Sequence, residues 1–93
     1  MPMLPLQELI WDDWNEEHVA RHNVSRGEVE EVCFGHPFVV RIRRSRYRIM
    51  GQTEAGRYLA VILDSREGKE FYVVTARDAT EPERRRFRFW RGH

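Results

Sequence analysis

The chemistry this sequence offers is concentrated in four side chains: His22, Glu54, Arg57 and Arg77. Histidine takes and gives a proton near neutral pH, and a carboxylate such as Glu54 is a second natural base. Arginine stays charged, but its planar fork fits a phosphate and holds charge that develops there. A base, an acid and cations on the phosphorus oxygens suffice to cleave a phosphodiester without metal. Arg77 ends the apolar, β-branched run Tyr72-Val73-Val74-Thr75-Ala76 and precedes a stretch rich in arginine, so it is a natural phosphate contact. Arg57 follows Gly56, and glycine lets the backbone approach a ligand closely. Each residue also has a plain structural reading. His22 suits a helix C-cap, Arg77 an ion pair with Asp78, Glu81 or Glu83, Arg57 an ordinary charge at a strand start, and Glu54 a solvated loop.

Further arginines surround these four. Residues 1–35 carry eight acidic groups against Arg21 and Arg26, whereas the rest of the chain has 14 basic groups against seven acidic ones. The C-terminal part therefore suits a polyanion. Lys69 is the only lysine, and arginine favours forked contacts with phosphate and stacking on bases. Arg41, Arg43, Arg46, Arg48, Arg84 and Arg85 are the expected nucleic-acid contacts. Trp11, Trp14, Phe87 and Trp90 have faces on which bases stack, with core packing as their plain role. His18 and His22 share a helical stripe with Trp14, but His18-Val19-Ala20-Arg21-His22 lacks the glutamate of a zinc protease motif, so no metal is expected. No cofactor is expected either, since no phosphate-cradling glycine loop or nucleophile elbow occurs.

The elements that must position these residues follow from caps and periodicity. Leu6 to Trp11 reads as a short first strand. Asp13 with Glu16, Ser25 with Glu28, and Thr80 with Glu83 are capping-box pairs. They predict helices from about Trp14 to His22, from Ser25 to about Phe34, and after Thr80, where Pro82 sits in the first turn. Asn23 suits a left-handed stop and Gly35 a second stop. From Phe38 the period changes to two. Val40-Arg41-Ile42-Arg43 and Arg46-Tyr47-Arg48-Ile49 mirror each other about Arg44-Ser45. That register places Ile42 against Tyr47, Val40 against Ile49, Arg41 against Arg48 and Arg43 against Arg46. Gln52 to Gly56 is a loop, Arg57 to Asp64 reads as a central strand, and Glu70 to Arg77 as the last strand. The order is β-α-α-β-β-β-β-α. It predicts an α+β fold with two N-terminal helices packed on one face of a mainly antiparallel sheet, plus a C-terminal helix.

Ninety-three residues, 41% hydrophobic and 12% aromatic, predict one folded domain over residues 1–93. The single cysteine, Cys33, excludes an internal disulfide and a cysteine zinc cluster. A reducing cytoplasm is the expected compartment. The start, Met1-Pro2-Met3-Leu4-Pro5-Leu6, lacks the basic and long apolar parts of a secretory signal, and no segment reads as a membrane span.

Three ordered pieces of the chain resemble the BrnT family of bacterial toxins, which belongs with the RelE-like ribonucleases. The first is Ile10-Trp11-Asp12 with Arg21-His22-Asn23-Val24-Ser25. The second is Tyr47 with Gly51-Gln52-Thr53-Glu54-Ala55-Gly56-Arg57. The third is Val74-Thr75-Ala76-Arg77-Asp78-Ala79-Thr80 with Glu83-Arg84-Arg85-Arg86-Phe87. The resemblance implies a small RelE-like fold and an mRNA endoribonuclease. It implies a ribbon-helix-helix antitoxin from an adjacent gene, through which alone the complex meets promoter DNA. Within it, His22, Glu54, Arg57 and Arg77 are the catalytic candidates. The chain departs from the family pattern at Asn23, Asp78, Glu81, Pro82 and Phe87, and the acidic changes remove positive charge beside Arg77. The alternative expectation is a binding module of the same fold that does not cleave RNA.

Overall fold

The structure is a computed structural model that describes residues 8–92. The N-terminal stretch read for a targeting signal, the start of the first strand at Leu6, and His93 lie outside the described residues. The elements are β1 (Glu8–Ile10), α1 (Asp13–Arg21), α2 (Arg26–Phe34), β2 (Phe38–Arg43), β3 (Arg46–Gln52), β4 (Tyr58–Ser65), β5 (Glu70–Asp78) and α3 (Glu81–Arg91). This is the expected order and an α+β fold. The strands form one sheet in the order β1-β5-β4-β3-β2. β2 to β5 make an antiparallel meander, and β1 joins the β5 edge in parallel.

Local chemistry sets the helix starts. Ser25 accepts from the Glu28 backbone N–H while Glu28 reaches back to Ser25, and Thr80 and Glu83 do the same for α3. Asn23 adopts the left-handed conformation at φ 61°. The first helix differs from expectation by one residue. Its capping box is Asp12 with Asn15, not Asp13 with Glu16, and it ends at Arg21. The reason is tertiary. Asn15 is fully buried, its amide donates to the carbonyls of Ile10 and Val73, both at 3.0 Å, and its Oδ1 accepts from the Asp12 N–H. A glutamate at position 16 could not satisfy two buried carbonyls, so Asn15 decides where the helix begins.

Both faces of the sheet are covered, unequally. Val19, Val29 and Val32 from α1 and α2 bury Ile49, Leu59, Val61, Leu63 and Val73. On the opposite face, Phe87 of α3 packs on Met50 and Ala60 with Phe38, Tyr58 and Trp90 around it. β4 is therefore buried on both sides, as its uninterrupted apolar run implies.

Two β-bulges interrupt the alternation. The β2–β3 hairpin turns at Arg44-Ser45 as expected, but Ile42 is extruded. Arg41 then faces Tyr47, Val40 faces Arg48, and Val39 faces Ile49. The mirrored register is corrected because it would keep Val39 out of the core, where it is buried. Of the two arginine–arginine oppositions only Arg43–Arg46 remains, and Asp64 flanks Arg46 on the other side. The second bulge is at Val74, between the pairs Leu63–Val73 and Ile62–Thr75. It places Ala76 on the core face and Arg77 on the α3 face, opposite Ala60. No helix among the described residues is long and apolar enough to cross a membrane.

Candidate functional site

Strand register brings Arg43, Arg46, Arg48 and Arg77 to the sheet face that α3 only partly covers. At its centre two arginines share one acid. Arg77 donates through both Nη atoms to Glu83, at 2.7 and 3.0 Å, and Arg48 lies 3.4 Å from Glu83 Oε2. Glu83 also accepts from the Thr80 N–H at 2.8 Å, so the α3 cap and the arginine pair meet on one carboxylate. The Arg77 hydrogen bonds hold the Glu83 carboxyl down at about 2, and Glu83 in turn holds the Arg77 guanidinium above its usual value. Glu83 is thus an orienting anion and a poor base. The cluster keeps a net positive charge, and each guanidinium has donors left over. The Arg48 Nε is buried without a partner. Such a face can grip the nonbridging oxygens of a phosphodiester.

Of the four residues selected for chemistry, Arg77 lies here and the others lie elsewhere. Arg57 is a clamp on the helical side. It bonds Glu28 at 3.1 Å, Asp78 at 2.9 Å and the Asn23 carbonyl at 2.5 Å. It therefore ties the start of β4 to the α1–α2 turn and the end of β5. Bonding to Asp78 raises its pKa, while the Ser25 cap and Arg57 lower that of Glu28. The Arg57 side chain is 24% exposed and that of Glu28 28%, so the clamp's worth falls between surface and buried pairs. Arg57→Gln is expected to lower unfolding free energy by about 1–2 kcal/mol, read from urea denaturation; an unchanged midpoint would remove the clamp from the account.

His22 caps α1, directly before the residue whose carbonyl Arg57 holds. Trp14, His18 and His22 form the expected stripe, with ring centroids 5.0 and 5.3 Å apart along it. Glu54 lies in the β3–β4 turn, and its N–H donates to Glu31. It lines a cleft of about 830 Å³, with His36, Gln52, Trp90 and Arg91, between α2, this turn and the C-terminal half of α3. Residues 51–56 of its lining belong to the second piece of the resemblance, but no local pattern joins them to His36 after α2 or to Trp90 and Arg91 of α3.

The outer arginines divide in the same way. Arg41 donates to the Arg44 carbonyl and Arg43 is exposed. Arg84 lies 4.8 Å over the Tyr58 ring, and Arg85 borders a surface groove with Phe38 and Trp90. Cys33 is buried, which pushes its thiol pKa up and disfavours the thiolate. Among the described residues, no group of three or more His, Cys, Asp or Glu side chains could hold a metal ion.

No protein-family model matches the chain, and no curated protein matches it. Among solved structures, the crystal structure of the Brucella abortus ribonuclease toxin BrnT matches with a TM-score of 0.64. The two are 19% identical, and the match covers 80% of this chain and 97% of that one. At this identity the likeness is one of fold, and the chain has a BrnT-like fold.

Proposed function

We propose that the chain is the toxin of a type II toxin–antitoxin pair, a metal-independent endoribonuclease acting on mRNA in the bacterial cytoplasm. The observation that supports this reading is the Arg48–Glu83–Arg77 cluster on the partly open face of a BrnT-like sheet. In the reaction, the 2′-oxygen forms a bond to phosphorus and the bond to the 5′-oxygen breaks. A base takes the 2′-hydroxyl proton and an acid supplies one to the departing 5′-oxygen. Arg48 and Arg77 hold the phosphorus oxygens as charge builds there. His22, at the α1 C-cap, and Glu54, in the β3–β4 turn, lie away from this cluster, so the proton transfers at a phosphate held here are not assigned to them. Arg57 ties the α1–α2 turn to the sheet. A ribbon-helix-helix protein from the adjacent gene is the proposed partner, with promoter DNA bound through it alone.

Protein freed of its partner is expected to cut single-stranded RNA in EDTA, leaving 2′,3′-cyclic phosphate ends, and to arrest growth when expressed without its neighbour. RNA left intact together with normal growth refutes the reading. A second reading, a binding module without cleavage, is favoured by the ion pairs themselves. Arg77 is held by Glu83, and Arg57 by Glu28 and Asp78. That module binds RNA or an acidic protein and leaves RNA whole.

A further inference from the structure

We propose that the cleft at the C-terminal end of α3 is a base-specific subsite that takes an unpaired guanine. The inference rests on the RNA-directed reading above and adds what that reading lacks, a source of sequence preference. The aromatic wall of the cleft is the half-buried Trp90, backed by the buried Phe87 with ring centroids 6.1 Å apart. Bases of single-stranded RNA stack on such rings.

Hydrogen bonds hold Arg91 and the backbone that carries Glu54. Arg91 donates to Gln52 Oε1 at 2.9 Å, and Gln52 Nε2 donates to the Gly56 carbonyl at 3.0 Å. The Gln52 amide thus has both ends occupied and holds Arg91 in place. Glu54 sits in a turn closed by Thr53 N–H to Arg57 O at 2.8 Å and Gly56 N–H to Thr53 O at 2.9 Å. Gly56 has φ +97°, which a larger residue adopts only with strain. The Glu54 N–H is held by Glu31 as well, at 3.1 Å.

Beside His36, which can donate or accept, the rim offers a side chain that only donates, Arg91, and one that only accepts, Glu54. Guanine is complementary to both. Its O6 and N7 accept an arginine fork, and its N1–H and N2 amino group donate to a carboxylate. Adenine offers an amino group where the arginine needs an acceptor, and the pyrimidines lack the N7 acceptor. Because Arg91 and Glu54 offset each other's charge, the cleft suits a neutral base better than a phosphate. The phosphate-gripping cluster lies at the other end of α3, about 12 Å away at 1.5 Å per residue between Glu83 and Arg91, so one RNA strand can engage both.

The test is a titration of the isotopically labelled protein with 5′-GMP, AMP, CMP and UMP, followed by amide chemical shifts. GMP is expected to bind at least tenfold tighter than the other three, with the largest shifts in residues 52–56 and 87–91. Glu54→Gln and Arg91→Ala are each expected to remove most of that preference while the AMP affinity stays within twofold. Both side chains are exposed, so the variants should stay folded, and their circular dichroism checks this. Equal affinities, no detectable binding, or shifts centred elsewhere overturn the proposal. GMP preference with RNA left uncut keeps the subsite and removes the ribonuclease reading. Cleaved RNA without GMP preference does the reverse.

Discussion

Replacing Arg48 and Arg77 together by alanine is expected to lower RNA cleavage by about a hundredfold or more, the loss typical of removing preorganised donors from developing charge. The two come from different strands but converge on Glu83, and register sets both on the face beside α3. Their pairing with Glu83 does not consume them. A guanidinium has five donors, and the geometry accounts for only some of them. Alanine at both sites leaves Glu83 without its arginines, so loss of fold must be separated from loss of chemistry. Arg77→Lys does this, since it keeps the charge and loses the fork; it should retain the fold and lose about tenfold in rate. Single-turnover cleavage of one oligonucleotide, alongside circular dichroism of each variant, reads both effects. A folded double variant that cuts at the normal rate would move the site off this face.

The second large effect is on stability and its pH dependence. Glu83 is held at about 2 against 4.5 for the free side chain. A carboxyl whose folded value is depressed contributes stability that is complete above about 4.5 and is lost as pH falls toward 2. The full shift converts to about 3 kcal/mol. The Arg77 side chain is 38% exposed while that of Glu83 is 8% exposed, and solvent screening brings the figure nearer about 2 kcal/mol. Glu83→Gln is therefore expected to lower the melting temperature by roughly 10 °C at pH 7. The gap between parent and variant should close as pH is taken from 5 to 2. Glu28, whose pKa is also lowered, titrates in both proteins and so cancels from the difference. A gap that stays constant through that range would mean that Glu83 is not held by the arginines.

Sequence made parts of this site legible. Ion pairing of Arg77 with one of three nearby acids was readable from spacing alone, and so was Glu83 as the N3 partner of Thr80. That one carboxylate does both jobs was not, nor that Arg48 joins it from a strand remote in the chain. The triple hold on Arg57 joins residues 23, 28 and 78, which no local pattern connects. The guanine cleft is hidden for the same reason, since its arginine, glutamate and tryptophan come from a helix and a distant turn.

What the chain alone determined is whatever depends on neighbours a few residues away. The Ser25 and Thr80 caps, the left-handed Asn23, the apolar β4 and the excess of arginine toward the C-terminus all arise from local hydrogen bonding, backbone sterics or composition. Tertiary structure decided the face on which each arginine works. In an unbroken strand Val73 and Arg77 share a side, because side chains alternate with period two. The bulge at Val74 breaks that parity, sending Ala76 into the core and Arg77 toward α3. Likewise Ile42 is extruded so that Val39 can be buried. A bulge adds one residue against a partner strand, and only packing against that partner shows where it falls.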